Sequence, residues 1–124
     1  MSNIYTTYFG NLGHLPPDIV PIAICRKVPV GWRKKTYKRL APPSDILLDW
    51  QARHDEEAYR HAYKRRVLDR IDPELCRIYL TETLGEGHDV ALVCYERSEK
   101  FCHRHLVAEW FREHGINCEE YTNQ

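Results

Sequence analysis

The sequence predicts a single α/β domain in three layers, with helices flanking a small, mostly parallel sheet. The strongest indication lies in residues 89–114, where an apolar run at 90–93 is followed by a polar turn and an amphipathic segment. A short continuous apolar run is typical of a strand covered on both faces, as in parallel sheets between helices. The chain has 124 residues, of which 43% are hydrophobic, and this suits one compact domain over residues 1–124.

Three further segments are predicted strands. Residues 4–9 are rich in β-branched and aromatic side chains, which favour strands. Residues 19–25 form a second apolar segment, in which Pro21 favours a late start or an edge position. A short last strand is expected in residues 116–121.

Three helices are predicted between the second strand and the central apolar run. Ser44 or Asp45 can cap the first of them, and Asp55 precedes two glutamates at the start of the second. Asp72 and Pro73 open the third, since proline suits the first helical position. The apolar face expected for this third helix consists of Leu75, Ile78 and Tyr79.

A fourth helix should follow the central apolar run. Ser98 is its expected N-cap residue, and Gly115 is its stop signal. On an ideal helix His103 lies within the apolar stripe, whereas His105 points toward water. The stripe itself is formed by Leu106, Val107, Trp110 and Phe111. We therefore expect His103 to face the sheet.

Five chemically versatile residues are expected to meet where the central strand ends and the fourth helix begins. They are Cys94, Glu96, Cys102, His103 and Arg104. Ligand sites in open α/β folds lie outside the carboxyl ends of the strands, beside helix N-termini. This junction is therefore the predicted functional site.

Two motifs at the junction resemble the signature of domain-of-unknown-function family 488, a protein family found in bacteria, archaea and phages. They are Val-Cys-Tyr-Glu at 93–96 and Phe-Cys-His-Arg-His-Leu-Val-Ala-Glu-Trp at 101–110. Further similarity lies at 4–9 and 37–42, so that the resemblance spans nearly the whole chain. It implies an α/β domain with a site at the junction, but it does not imply a particular reaction.

Each residue at the junction has a role that its chemistry suits. The planar guanidinium of Arg104 matches a phosphate or carboxylate, so that we expect it to bind an anion. Glu96 could act as a general base or nucleophile, as carboxylates do in glycosidic-bond chemistry. His103 could transfer protons. Cys94 and Cys102 complete the expected catalytic group as walls or thiol participants. Weaker ligand-binding candidates for the opposite wall are Lys38, Tyr5 and Tyr8.

Thiol chemistry is an alternative for the same junction. Cys102 in the first turn of a helix beside His103 has surroundings that lower a thiol pKa, and Cys94 would be its resolving partner. A protein-phosphatase loop is excluded, because Lys100 stands six positions after Cys94, where that pattern requires arginine.

A metal site is the other alternative. Cys94, Cys102 and His103 would supply three ligands, and Glu96 or His88 a fourth. However, the spacing matches no standard zinc pattern, and adjacent residues on a helix point about 100° apart. We therefore predict neither a metal nor an organic cofactor.

The predicted function is binding, with enzymatic processing left open, of a phosphate-bearing ligand related to nucleotides or nucleic acid. The alternative is that the junction residues only stabilise the fold, as a structural cluster. In a structural cluster Glu96 and Arg104 would form an ion pair, and His103 would be a core residue with its hydrogen bonds satisfied.

A basic segment at residues 26–39 suggests a second function. It contains no acidic residue, and Trp32 and Tyr37 are interleaved with its cations. The cations are Arg26, Lys27, Arg33, Lys34, Lys35, Lys38 and Arg39. Such a surface suits phosphate or nucleic acid, although a solvated loop balanced by acidic helices has the same composition. The alternative is therefore a non-enzymatic nucleic-acid-binding accessory protein, in which the Cys-His-Arg cluster only stabilises the fold.

Composition bears on the cellular compartment. Lysine plus arginine and aspartate plus glutamate both number 18, so the overall charge favours no class of partner. No apolar run approaches the ~20 residues that span a bilayer, and the N-terminus lacks the pattern of a secretory signal. The five cysteines lack the density of a small disulfide-rich protein. We therefore expect a cytoplasmic protein with reduced thiols and no membrane partner.

Overall fold

A computed structural model describes residues 2–122, and its centre is a five-stranded sheet. The strands are β1 (Ile4–Tyr8), β2 (Ile19–Ala23), β3 (Lys35–Thr36), β4 (Asp89–Cys94) and β5 (Cys118–Glu120). Their order across the sheet is β3-β2-β4-β1-β5, and every pair is parallel. The predicted α/β fold is confirmed, with a sheet that is parallel throughout.

Four α-helices connect the strands. They are α1 (Ser44–Arg53), α2 (Glu56–Arg66), α3 (Pro73–Ile78) and α4 (His103–Glu113). The chain adds a π-helical turn (Tyr79–Leu84) and 3-10 turns at Phe9–His14, Lys38–Leu40 and Leu68–Arg70. Asp55 and Asp72 are N-cap residues, as predicted, since their carboxylates accept hydrogen bonds from backbone N–H groups of the first turn. None of the helices within residues 2–122 has the length and hydropathy that a membrane crossing requires.

Strand β4 lies at the middle of the sheet, which explains its apolar sequence. The side chains at 90–94 are all buried, because β1 and β2 pair with the two edges of β4 and other elements cover its faces. Parallel crossovers are right-handed, and the connections from β1 to β2 and from β4 to β5 cross the sheet in opposite directions. They therefore lie on opposite faces of the sheet.

The parallel arrangement places the carboxyl ends of the strands at one edge of the sheet. Cys94 ends β4 in register with Tyr8 at the end of β1, and Val93 is in register with Ala23 at the end of β2. The segments that leave these three strands therefore start close together. This edge carries the candidate site.

Three helix predictions and one strand prediction are wrong in their details. Helix α1 begins at Ser44, with Pro43 as its N-cap residue and no side-chain cap hydrogen bond from Ser44 or Asp45. Strand β2 begins at Ile19 and lies between β3 and β4, although Pro21 favoured a late start or an edge position.

Helix α4 begins at His103, with Cys102 and not Ser98 as its N-cap residue. Ser98 instead donates a hydrogen bond to a carboxylate oxygen of Glu120. The predicted apolar face of α3 is exposed, at 66% for Leu75, 40% for Ile78 and 43% for Tyr79. Cys76 and Leu80 are buried in its place, and their i, i+4 spacing puts them on one face of the helical segment.

Candidate functional site

Two sulfur atoms form the floor of the candidate site. The Sγ atoms of Cys94 and Cys102 lie 2.9 Å apart, and both thiols are buried and free of disulfides. Cys94 is placed by the end of β4. Cys102 adopts an extended conformation (φ −157°, ψ 147°) just before α4, which turns its side chain back toward the strand.

His103 stands beside the sulfurs in a fixed orientation. Its Nε2 atom lies 2.8 Å from the carbonyl oxygen of Ile24, and its Nδ1 atom lies 3.8 Å from Sγ of Cys102. A carbonyl oxygen only accepts hydrogen bonds, so Nε2 carries the hydrogen. In the neutral ring the lone pair of Nδ1 is therefore the side that faces the sulfur. The prediction that His103 faces the sheet is confirmed by its burial.

The pKa values of the two thiols shift in opposite directions. A hydrogen bond from Cys94 holds the pKa of the Cys102 thiol well below its usual range, against the effect of burial. His103, in the protonated form in which Nδ1 donates a hydrogen bond, and the backbone N–H of Arg104 act in the same direction. Burial, together with the hydrogen bond to Cys102, raises the pKa of Cys94. These opposite directions favour the thiolate form at Cys102 over Cys94.

Arg104 is fully buried and paired with a residue that sequence reasoning missed. Its Nε and Nη2 atoms donate to the two carboxylate oxygens of Glu120 at 3.1 and 2.8 Å, and Nη1 lies 3.6 Å from Sγ of Cys94. Thr6 donates a further hydrogen bond to Glu120, at 2.6 Å. The expectation that Arg104 binds a ligand anion is therefore corrected, as is its pairing with Glu96 in the structural alternative.

The position of Glu120 explains why it was missed. The only sequence signal was an acidic pair, Glu119 and Glu120, in the expected last strand. The contact with Arg104 arises because β5 pairs with β1, in a register that places Glu120 beside Thr6. The sequence does not indicate that strand order.

A cavity of about 490 Å³ opens over the sulfur pair. Four of the five junction residues line it, namely Cys94, Glu96, Cys102 and His103, whereas Arg104 does not. Glu96 is exposed and lies beyond the end of β4. The volume is within the range of small-molecule sites in proteins.

The cavity walls are aromatic and part of the rim is cationic. Trp50 and Phe101 lie with ring centroids 4.7 Å apart, and Tyr59 contacts Phe101 edge-on at 5.0 Å. Arg26 and Lys27 line the cavity, and both are exposed. Sequence reasoning placed these two cations in the basic segment but did not assign them to the site.

The weaker candidates lie outside the cavity lining. Tyr5 contacts the ring of Tyr121, with centroids 5.5 Å apart. The ring of Tyr8 lies 5.8 Å from the guanidinium carbon of Arg104. Lys38 is exposed, and its charge partly offsets the burial that raises the pKa of Cys25, a thiol in the cavity wall. The cavity lining therefore contains none of these three candidates.

Two other histidines depart from their expected places. His88 precedes β4, at the opposite end of the strand from Cys94, and its Nδ1 atom contacts the carbonyl oxygen of Gly85. It is therefore not part of the junction. His105 was expected to point toward water, but its Nε2 atom is buried without a hydrogen-bond partner among the described residues.

The comparison with family models decides the affiliation of the chain. The model described as the active DUF488-N3 subclade, DUF488-N3a, matches residues 4–115. The chain belongs to this family. The resemblance noted in the sequence is thereby confirmed, and the span that matches DUF488-N3a includes the sulfur pair and His103 but ends before Glu120. No curated protein and no solved structure matches the chain significantly.

Proposed function

We propose that this DUF488-N3a protein binds a phosphate-bearing, nucleotide-like ligand in the cavity over the sulfur pair. The observation that carries the proposal is the combination of aromatic walls, rim cations and buried reactive groups around one volume of about 490 Å³. Few ligand classes other than nucleotides present both a planar ring and a compact polyanion. The description of the subclade as active favours processing of the ligand after binding.

The cavity offers separate places for the two parts of such a ligand. The rings of Trp50 and Phe101 suit stacking of a planar base. Arg26 and Lys27 have no carboxylate within 4.0 Å among residues 2–122, so that their charges are available for phosphate. They take the role that the sequence assigned to Arg104. Glu96 at the cavity lining is the proposed acid-base group.

Calorimetric titration with a panel of nucleotides and the matching nucleosides tests this proposal. At least one nucleotide should bind, and its nucleoside should bind more weakly. The double variant Arg26→Ala with Lys27→Ala should weaken nucleotide binding by about tenfold or more, since hydrogen bonds to charged groups contribute about 1.5–3 kcal/mol each. Trp50→Ala should weaken nucleotide and nucleoside alike, because both carry the base.

The matched control is Lys34→Ala with Lys35→Ala, which removes two cations of the basic segment that do not line the cavity. Its nucleotide affinity should equal that of the wild type. The proposal is wrong if no nucleotide binds, or if the two double variants lose affinity equally.

The basic segment supports a second candidate, non-enzymatic binding of nucleic acid. All seven of its cations are exposed. Within the described part of the chain only Lys35 has a carboxylate partner, Glu86 at 3.7 Å. If this candidate is right, Lys34→Ala with Lys35→Ala will weaken binding of an oligonucleotide and reduce its dependence on salt.

A further inference from the structure

We propose that Cys94, Cys102 and His103 form a binding site for a thiophilic divalent cation such as Zn²⁺, with one coordination position open to the cavity. Two cysteines, one histidine and an open position are a known ligand set of catalytic zinc. The proposal does not depend on the nucleotide-like ligand, since the three residues supply the site by themselves.

The donor atoms are already close to the separations that zinc requires. The Sγ atoms of the two cysteines and one ring nitrogen of His103 all lie within 4.8 Å of one another, and the three residues are buried. Bond lengths of about 2.3 Å to sulfur and about 2.0 Å to nitrogen place tetrahedral ligands about 3.5–3.8 Å apart. The Cys102–His103 separation of 3.8 Å already fits. The two sulfurs, at 2.9 Å, would move apart by about 0.9 Å.

The backbone before α4 removes the geometric objection that the sequence raised. Adjacent residues on a helix diverge by about 100°, which would prevent Cys102 and His103 from sharing one ion. Here only His103 is helical, whereas Cys102 is extended. The change of backbone conformation between them brings both side chains to the same point.

The surroundings orient the ligands as zinc sites usually do. Histidines that bind metals commonly donate their other ring N–H to a carbonyl oxygen, and His103 does so to Ile24. Its Nδ1 atom is thereby left as a ligand on the side of the sulfurs. Arg104 Nη1 approaches Sγ of Cys94 at 3.6 Å, a contact that would stabilise a bound thiolate.

The charges also balance around the proposed ion. Two thiolates neutralise a divalent cation, and Glu120 neutralises Arg104 through a bidentate pair. Thiols bind a metal as thiolates, so any thiol proton is released when the cation binds. Binding would therefore leave no uncompensated charge in the buried region.

Cobalt substitution tests the site on the 124-residue chain, stripped of metal and kept under a phosphine reductant. Co²⁺ should bind one per chain and give sulfur-to-cobalt charge-transfer bands with the ligand-field bands of tetrahedral cobalt, and Zn²⁺ should displace it. Cys94→Ser, Cys102→Ser and His103→Gln should each lower Zn²⁺ affinity by more than about tenfold. Cys76→Ser, a buried cysteine of the α3 segment, is the matched control and should bind like the wild type.

A second measurement uses only the wild-type chain, so it remains valid even if the variants fail to fold. Zn²⁺ should protect Cys94 and Cys102 from alkylation, read by peptide mass spectrometry, and leave the labelling of Cys25 unchanged. Absence of the cobalt bands in the folded wild type, or equal labelling of the two cysteines with and without Zn²⁺, overturns the proposal.

Discussion

Arg104 is the residue whose environment differs most from its expected one. Its side chain is 0% exposed, which is tolerable for a guanidinium only when a carboxylate and further hydrogen-bond acceptors surround it. Glu120 provides that carboxylate, and hydrogen bonds from Thr6 and Ser98 hold it in place. The cluster joins β1, β5, α4 and the turn after β4. It thereby fixes the start of α4 against the sheet.

The pair makes stability depend on pH through Glu120. Burial raises the pKa of this carboxyl, but hydrogen bonds from Arg104, Ser98 and Thr6 outweigh it, and the folded pKa lies below the ordinary value of 4.5. The ionised pair therefore stabilises the protein above the unfolded-state pKa, and this contribution is lost as the pH falls through the folded-state pKa.

Glu120→Gln should lower the free energy of unfolding at neutral pH by about 3–5 kcal/mol, because it leaves Arg104 buried and charged without its partner. The variant should also lose less stability than the wild type between about pH 6 and pH 3, since it lacks this titrating group. Urea unfolding at several pH values measures both effects. Glu119→Gln, an exposed neighbour on β5, is the control. Parallel pH profiles for wild type and Glu120→Gln would contradict the assignment.

Some site residues are positioned by neighbours in the sequence, and others by contacts between distant segments of the chain. Cys94, Cys102 and His103 meet because a strand, a short turn and a helix follow one another, and such local geometry can be read from periodicity. The pairing of Arg104 with Glu120 depends on which strand borders β1, and the sequence carries no such information. The same holds for Arg26, which reaches the cavity only because β2 lies beside β4.

Among the secondary-structure elements, those with a chemical start signal were the most predictable. Asp55 and Asp72 mark the beginnings of α2 and α3, since a carboxylate that accepts from first-turn N–H groups acts locally. Ser98 was also predicted to be an N-cap residue, but its hydroxyl donates a hydrogen bond to Glu120 and does not cap a helix. The π-helical turn after α3 is also hidden from a pattern search that assumes 3.6 residues per turn.

Gly85 is the point where that π-helical turn meets β4. A Cβ atom at this position would lie 2.5 Å from Cγ1 of Val90 and 2.8 Å from the backbone oxygen of Thr81. We expect Gly85→Ala to lower the free energy of unfolding by about 1–3 kcal/mol, since the backbone must shift to relieve the overlap. Gly13→Ala is the matched control, because no atom lies within 4 Å of its added Cβ, and its effect should stay within about 0.5 kcal/mol. Equal midpoints of urea unfolding for the two variants would contradict this packing.

For the whole molecule, the order of the strands sets how stability is distributed. Strand β4 is paired on both edges and buried along its length, whereas β3 has two residues and lies at the border of the sheet. The apolar run at 90–93 indicated this central position in the sequence. The sequence did not predict that β1 and β2 lie on opposite sides of β4, because it carries no signal for which strand borders which.

This distribution predicts a gradient of amide hydrogen exchange across the sheet. The amides at 90–93 should exchange only through global unfolding, with rates that rise steeply with added denaturant, whereas those of Lys35 and Thr36 should exchange by local opening that denaturant hardly affects. Nuclear magnetic resonance at several low urea concentrations separates the two regimes. Similar protection in β3 and β4 would argue against the strand order. Because Cys94 ends β4 while Arg26 and Lys27 lie between β2 and β3, the gradient also predicts a rigid floor and a more mobile rim for the cavity.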